Sequence, residues 1–357
     1  MTPSALVIRS LIVGFIVSLA VITGFAYTTL FERRILARLQ SRVGPNRAGY
    51  LPLPARGGKG ERRLLGGIMQ PAADAVKLFF KEDSTPVQVD KVVYNLAPML
   101  AVIPAILILA VIPWAGEITI FGQEFTPYFA IAPGVNVGVL FILAITSIGV
   151  YGVALGGWAS NSKYAVLGGI RTAAQMVSYE LALGFSLLPP IMLANSMDLG
   201  VIVAEQKGLW FVFVQPIAAI IFYIAALAEL QRSPFDLLEA EQELSSGFNV
   251  EYAGMRFGMF FMAEYMKMIS LSAITVVLFF GGYQGPFVDQ VPALGFVYMI
   301  LKIVASLFIM IWVRASLPRF RYDQLMKFGW KVMLPVALAN FVVTGVVIIL
   351  AEEGIIF

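Results

Sequence analysis

The sequence predicts an all-α polytopic membrane protein with eight transmembrane helices. Of its 357 residues, 59% are apolar and only 13% are charged, and the mean hydropathy is +0.84. A soluble domain carries about 45–50% apolar and about 25% charged residues, so this apolar surplus has to face lipid. The apolar residues also fall into eight stretches that could each cross a bilayer about 30 Å thick. We place these spans near residues 6–31, 92–113, 137–157, 173–195, 209–230, 257–280, 293–313 and 332–351.

The chain contains neither Cys nor His. This composition excludes disulfides, thiolate-ligated iron–sulfur clusters and thiol nucleophiles on this chain. It also excludes histidine-ligated haem, an imidazole base and an ordinary zinc site. We therefore expect no metal and no covalently bound cofactor here, and no nucleic-acid partner. Any redox chemistry would need electron carriers on partner chains or on a diffusible substrate.

The first apolar stretch admits two interpretations, a secretory signal peptide or a membrane helix. Its apolar run is longer than the usual signal-peptide core of about 7–15 residues. It ends in the charged sequence Glu32-Arg33-Arg34 without a small-residue cleavage pattern. We therefore expect an uncleaved transmembrane helix.

The Lys and Arg residues alternate between loops in a way that predicts the topology. Of the 25 Lys and Arg, 21 fall in four loops, whereas the loops between them carry only Lys207. Cytoplasmic loops are enriched in Lys and Arg, so we expect these four loops to be cytoplasmic and both termini to lie outside. The four basic loops are residues 32–91, 158–172, 231–256 and 314–331.

Two segments of the first basic loop have distinct patterns. Residues 67–81 alternate apolar and charged positions at helical spacing, which predicts an amphipathic helix at the cytoplasmic interface. Residues 48–66 contain the basic, Gly-rich piece 56–63, which we interpret as a surface insertion.

Three glutamates fall inside predicted spans, where a charged side chain is costly and therefore a functional candidate. These are Glu180, Glu229 and Glu264, all in the half of the membrane nearer the basic loops. Such acids suit proton handling. An ion pair of Glu264 with Lys267, one helical turn later, stays open as an alternative. Glu229 is near Arg232, and an equally open alternative is that it is simply a charge at the membrane boundary.

The third basic loop also carries a dense acidic segment. If residues 231–252 form a helix, several of its acids share one face and repel one another. The alternative is a helix N-terminus after Ser233-Pro234, where acids are favoured by the helix dipole. The acids of this segment are Asp236, Glu239, Glu241, Glu243 and Glu251.

Two other basic segments are open to structural or functional interpretation. Arginines recur at spacings of three to four residues along a predicted helix that stops at Gly44-Pro45, and anchoring to anionic lipid explains them equally well. Residues 314–331 mix arginines with aromatics, which suits a docking surface or the membrane interface. The arginines of the first segment are Arg33, Arg34, Arg38 and Arg42.

Taken together, these segments resemble the H subunit of bacterial NADH:quinone oxidoreductase (respiratory complex I), the membrane subunit that forms its quinone chamber. The matching segments occur in the order found in that family and extend over nearly the whole chain. They are ERRILARLQSRVGPNR (32–47), QPAADAVKLFFKED (70–83), GWASNSKYAVLGGIRTAAQMVSYE (157–180), AELQRSPFDLLEAEQELSSGFNVEY (228–252), MAEY (262–265) and RASLPRFRYDQLMKFGWK (314–331).

The resemblance implies a function for the whole complex and roles for particular residues. It implies a bacterial plasma-membrane subunit that forms a quinone tunnel, with FMN and iron–sulfur clusters on partner subunits and quinone as the substrate. The partners it implies are peripheral-arm iron–sulfur and quinone-site subunits, small membrane subunits and antiporter-like subunits. The tunnel positions it implies are Arg34, Arg38, Asp74, Phe235, Glu241 and Glu243, and the proton-relay positions are Glu180, Glu229, Glu239, Glu251 and Glu264.

The sequence departs from the family pattern in two places. Residues 48–69 are longer than the usual connection by about fifteen residues. Some members carry an acid in the third span, where this chain has Thr146-Ser147. If that acid serves proton transfer, water or a neighbouring carboxylate must replace it here.

Three alternatives share part of this evidence. The equivalent subunit of a membrane-bound hydrogenase uses no quinone, and relatives fed by ferredoxin or a deazaflavin share the architecture. The GPNR and PFDLLEAEQEL segments favour the quinone enzyme with NADH as donor. A free-standing secondary transporter would often show interrupted spans in both halves. The sequence has Pro189-Pro190 in span four and no matching interruption that we identify elsewhere.

Overall fold

A computed structural model of the chain describes residues 3–46, 48–49, 51–53, 62–64, 67–120, 123–125, 128–236 and 247–354. Over these residues the fold is helical, which confirms the all-α class. The described α-helices are α1 (Pro3–Leu39), α2 (Gln70–Phe80), α3 (Lys91–Leu107), α4 (Gly138–Ala159), α5 (Lys163–Ala194), α6 (Leu199–Glu205), α7 (Phe211–Val214), α8 (Pro216–Glu229), α9 (Gly254–Phe279), α10 (Ala293–Ser316), α11 (Tyr322–Phe328) and α12 (Leu334–Glu352).

Two pairs of three-residue antiparallel strands accompany the helices, and the sequence analysis did not predict them. β1 (Leu51–Leu53) pairs with β2 (Arg62–Leu64), and β3 (Ile118–Ile120) pairs with β4 (Gln123–Phe125). The first pair falls in the predicted insertion at 48–66. Most of the remaining insertion, including residues 54–61, lies outside the described residues.

Seven segments among the described residues are long and apolar enough to cross a membrane, which confirms a multi-pass membrane protein. Seven of the eight predicted spans therefore have a counterpart of spanning length. These segments are Ser10–Leu39, Lys91–Ala110, Gly138–Ala159, Lys163–Ala194, Gly254–Phe279, Ala293–Ser316 and Tyr322–Glu352.

The predicted fifth span, residues 209–230, is not one continuous helix. The four-residue α7 and the 14-residue α8 divide it at Gln215, whose φ and ψ of −128° and 60° are not helical. Pro216 accounts for the break, because a proline disfavours the helical conformation of the residue before it. A single spanning helix needs about 20 residues, so α8 alone is too short.

The second basic loop is much shorter than predicted. Helix α5 begins at Lys163 rather than near residue 173, and three residues connect it to α4. Asn161 in this connection has a φ of 49°, a left-handed conformation that asparagine tolerates. Since Lys163 and Arg171 are polar, the hydropathy pattern placed the first turns of α5 in a loop.

The helix ends form two faces of different chemistry. Parts of all four basic loops meet on one of them, which we call the charged face; it comprises residues 32–46, 70–91, 160–172, 230–236, 247–256 and 314–331. There the guanidinium of Arg256 lies 3.3 Å from the Asp83 carboxylate, and Arg171 lies over the ring of Tyr322. The other ends, residues 108–120, 123–125, 128–137, 195–215 and 280–292, form the opposite face.

Helix α9 lies at the centre of the bundle and joins the two faces. Of an apolar 18-residue stretch of α9, 83% is buried within the protein, compared with 22% of the corresponding stretch of α1. Helices α1, α3 and α10 pack against it. A helix that is buried on almost every side is normally apolar on all its faces. Any charged side chain on it therefore needs a partner within the protein.

Candidate functional site

The three predicted intramembrane acids lie on α5, α8 and α9. Glu229 is the last residue of α8, and the chain turns away at Gln231, which has a φ of 56°. Glu264 lies on α9, one turn before Lys267. Glu180 lies on α5 and accepts a hydrogen bond from the Ser147 hydroxyl of α4. That serine belongs to the Thr146-Ser147 pair noted in the sequence.

Two ion pairs cross between α9 and the segment that ends α8. Arg232 Nε lies 2.5 Å from Glu264 Oε1, and Lys267 Nζ lies 3.6 Å from Glu229 Oε1. These pairs are not the ones that helical spacing alone suggested. In the part of the chain that the structure describes, Glu264 pairs with Arg232, and the buried Glu229 pairs with Lys267. The turn at Gln231 explains the difference, because it breaks the helical spacing between Glu229 and Arg232.

Glu32, near the C-terminal end of α1, joins the same network. Arg232 Nη1 donates to Glu32 Oε1 over 3.2 Å, and both side chains are only 4% exposed. Arg314 of α10 also pairs with Glu32, and the Tyr265 ring lies 4.4 Å from the Arg232 guanidinium. The sequence analysis noted Glu32 only as a charge ending an apolar run, so this partner was missed.

Arg232 stays positively charged at the centre of this network. Its burial disfavours the charged guanidinium, but the carboxylates of Glu264 and Glu32 outweigh burial and raise its pKa above the ordinary value. One permanent cation thus holds two carboxylates from helices that are distant in sequence.

A cavity of about 1000 Å³ opens beside the crossed pairs. Glu229, Glu264 and Lys267 line it, together with Lys81 beyond the end of α2. Tyr252 also lines it, and burial raises the pKa of this phenol, so it stays protonated. The cavity is therefore a polar space within the bundle, bordered by carboxylates and cations.

The predicted tunnel residues that the structure describes are spread over the charged face. Asp74 Oδ2 pairs with Arg33 Nη1 at 2.8 Å, while Arg38 is exposed. Phe235 packs against the rings of Tyr179 and Phe320.

The acidic segment is only partly described. Asp236 pairs with Arg319 at 3.3 Å, and the backbone carbonyl of Glu251 accepts a hydrogen bond from Tyr94. Residues 237–246 lie outside the described residues, so the predicted helix and the predicted site residues there have no structural description. The site residues concerned are Glu239, Glu241 and Glu243.

A second cavity, of about 1080 Å³, has an apolar lining. Helices α1, α9 and α10 form its walls, with Ile269 and Ile300 among the lining residues. Arg34 and Ile68 lie at its end on the charged face, and Trp114 lies at the end on the opposite face. Such a space suits an apolar chain with a polar head near Arg34. Within the described ranges, no group of three or more acidic side chains is arranged to hold a metal ion.

Comparison with known proteins gives one consistent family. The sequence matches the NADH dehydrogenase family over residues 12–345. An NADH-quinone oxidoreductase H subunit of Geobacter metallireducens is 49% identical over 98% of this chain and 100% of its own length. An H subunit of the same enzyme from Geobacter sulfurreducens is 50% identical over 91% of this chain and 92% of its own. The H subunit from Protochlamydia amoebophila is 45% identical over 90% of this chain and 92% of its own length.

Proposed function

This chain belongs to the family of NADH-quinone oxidoreductase H subunits, and on that premise we propose that it forms the quinone-access tunnel and the first part of the proton relay of complex I. It is a subunit of an oxidoreductase rather than an enzyme by itself. Because the sequence lacks Cys and His, the iron–sulfur clusters belong to partner subunits. The proposal places FMN on partner subunits as well, with quinone as the substrate.

The quinone tunnel follows the charged face and the apolar cavity. A long-tailed quinone enters from lipid, and its tail occupies apolar space such as the cavity that ends at Arg34. The Arg33–Asp74 pair and the exposed Arg38 supply charge near that end. The remaining tunnel positions are Phe235, Glu241 and Glu243, of which Phe235 lies in an aromatic cluster.

The proton relay starts at the crossed ion pairs, and this is the observation that supports the proposal most strongly. Glu264 and Glu229 line one polar cavity, and Glu229 also interacts electrostatically with Glu180. Charge formed on a reduced quinone changes the electrostatic field at these acids, which relay the change as proton movement. Glu239 and Glu251 lie near this path in sequence. We take the transported ion to be H⁺.

The topology follows from the same reasoning. The charged face is cytoplasmic, in a bacterial plasma membrane, because it gathers the Lys- and Arg-rich loops. Helices α7 and α8 together make the fifth of eight crossings, interrupted at Gln215. Helix α2 has no buried residue and lies at the membrane interface.

Replacing Glu180 by Gln tests the relay. The substitution keeps the shape of the side chain but removes its exchangeable charge, so we expect fewer protons pumped per NADH oxidised. The ratio is measured in inverted membrane vesicles that contain the intact enzyme. Glu205→Gln, an exposed glutamate on the opposite face, is the matched control. An unchanged ratio in a fully assembled Glu180→Gln enzyme would remove Glu180 from the relay.

Purification of the tagged chain in mild detergent tests the partners. We expect flavin- and iron–sulfur-bearing NADH dehydrogenase subunits together with antiporter-like chains. A nickel–iron hydrogenase subunit in place of the NADH module would contradict the quinone-site roles. Recovery of a lone 39.0 kDa chain would contradict a subunit role altogether.

A further inference from the structure

Lys267 is the buried cation whose position the proposed relay does not yet explain. It lies on α9, is 8% exposed, and pairs with Glu229 across to α8. It is also one helical turn from Glu264, and side chains three apart on a helix are neighbours. Lys267 is thus near two of the three acids assigned to the relay.

The two acids differ in how firmly they are held. Glu264 is bound by Arg232, which also holds Glu32. Glu229 has no hydrogen bond to either carboxylate oxygen within the described part of the chain, and its ion pair with Lys267 is 3.6 Å long. That distance is beyond a direct hydrogen bond. Lys267 therefore balances the charge of Glu229 without locking its geometry.

The surroundings leave the ammonium group room to move. Lys267 lines the polar cavity together with both acids. On its other side it lies against the backbone of α4 at Gly149, where an added Cβ would come within 2.7 Å of Nζ. An alanine at this position would therefore make the ammonium shift.

Charged groups that line the cavity of Lys267 or interact with its neighbours come from several elements. They are Glu229 of α8 and Arg232 after it, Glu264 of α9, Glu180 of α5, Lys81 after α2, and Arg319 after α10. Helix α4 contributes no charge at this level, only Ser147 and Gly149. If Glu229 takes up a proton, it loses the negative charge that Lys267 balances. The carboxylate of Glu264, on the same helix as Lys267, then remains as a possible partner.

We propose that Lys267 is a positioning residue of the relay that holds Glu229 as a carboxylate and turns toward Glu264 when Glu229 takes up a proton. The proton bonds to a carboxylate oxygen of Glu229, and the ammonium keeps all three of its own protons. The ammonium then competes with Arg232 for Glu264, while Arg232 keeps Glu32 as a partner. This inference rests on the proposed relay function and adds to it the group that links two of its acids.

The test compares four variants of the intact enzyme in inverted vesicles, with protons pumped per NADH oxidised as the measurement. Lys267→Gln removes the charge, and Lys267→Arg keeps it. Gly149→Ala keeps the lysine but displaces its ammonium. Gly184→Ala is the matched control, because an added Cβ there meets nothing within 4 Å.

We expect Lys267→Gln and Gly149→Ala to lose pumping while NADH oxidation continues, and Lys267→Arg and Gly184→Ala to pump normally. A purely structural lysine would not give this separation of pumping from electron transfer. If Lys267→Gln fails to assemble, Gly149→Ala decides, since it leaves the buried charges balanced. Normal pumping by Gly149→Ala would overturn the inference.

Glu229→Gln separates the inference from the function on which it rests. Normal pumping by this variant would remove Glu229 from the relay, and the proposed function would fail at that point. Impaired pumping by Glu229→Gln, together with normal pumping by Lys267→Gln and Gly149→Ala, would overturn the role of Lys267 alone.

Discussion

The polar side chains on the charged face and those on the opposite face make different kinds of contact. On the charged face, buried side chains pair with one another, as Arg232 does with Glu32 and Glu264. On the opposite face, two polar side chains bind the backbone instead, although the Tyr128 hydroxyl donates to the Asp198 carboxylate there. Gln206 donates to the carbonyl of Val277 over 2.8 Å, and Lys302 donates to three backbone carbonyls.

The difference separates fixed from exchangeable contacts. A backbone carbonyl carries no ionisable proton, and the fold of the backbone fixes its position. Lys302 thus binds carbonyls of the segment that follows α9 and fixes the connection to α10. Carboxylate–cation pairs can change partner when a proton arrives. The opposite face therefore anchors α9, and the charged face keeps groups that can respond to chemistry.

The largest expected effect comes from Arg232→Met. The substitution removes the cation that the buried Glu32 shares with the part-exposed Glu264, and only Arg314 is left beside Glu32. Breaking such a buried pair costs about 3–5 kcal/mol. We expect little assembled enzyme in membranes, measured by native gel. Lys327→Met on the same face is the control, since its pair with Asp323 is exposed and contributes about 0–1 kcal/mol. Equal assembly of both variants would contradict a buried network on the charged face.

Lys302→Met tests the anchoring of the opposite face. Losing the charged donor leaves the carbonyls of Phe280, Gly282 and Gln284 without it, at a cost of about 1.5–3 kcal/mol. We expect a lower melting temperature in detergent and an unchanged number of protons pumped per NADH. The control is Lys207→Met, whose pair with Asp289 is exposed. A change in pumping ratio with normal stability would show that the opposite face takes part in transport.

Gly200→Ala tests packing on the opposite face. The added Cβ would overlap Cε1 of Tyr128, whose hydroxyl donates to Asp198. Overpacking of this kind costs about 1–3 kcal/mol, so we expect a lower melting temperature. Gly208→Ala, which meets nothing within 4 Å, is the control and should cost only the ordinary helix or turn preference. Matching melting temperatures would mean that the ring moves aside freely.

The smallest effect concerns alkaline stability. Burial, reinforced by the hydrogen bond to Asp198, raises the pKa of Tyr128 above its ordinary 10.0. The folded state then keeps a proton that the unfolded state releases above pH 10, so this contribution is complete below pH 10 and is lost as pH rises toward the raised pKa. Tyr128→Phe costs about 1 kcal/mol at neutral pH. Its stability should fall less steeply above pH 10 in a pH series of thermal melts; parallel curves would exclude this titration.

The membrane class, seven of the spans and the gathering of the basic loops could be predicted from the sequence, because hydropathy and charge are properties of single segments. The break at Gln215 was missed, although Pro216 is a visible signal, since the apolar run continues through it. The start of α5 at Lys163 was missed because its first turns carry polar residues that interrupt the apolar run.

The candidate acids were also visible in the sequence, but their partners were not. Glu229, Glu264 and Glu180 stand out by the cost of placing a charge in a membrane. Pairing depends on the turn at Gln231 and on how α8 lies against α9, and neither has a local sequence signal. Glu32 was overlooked for the same reason, since its partners lie far away in the chain.

That distance has a consequence for the synthesis of the protein. Glu32 and Arg232 are 200 residues apart, and Glu32 and Arg314 are 282 residues apart. At about 5–20 residues per second, the ribosome needs roughly 15–60 s to travel from Glu32 to Arg314. Arg232 is made before Arg314, and until Arg232 is made Glu32 has neither of these two partners, so water or lipid headgroups must solvate it. The order of translation therefore makes the closing of this network a late event, after most of the bundle has been inserted.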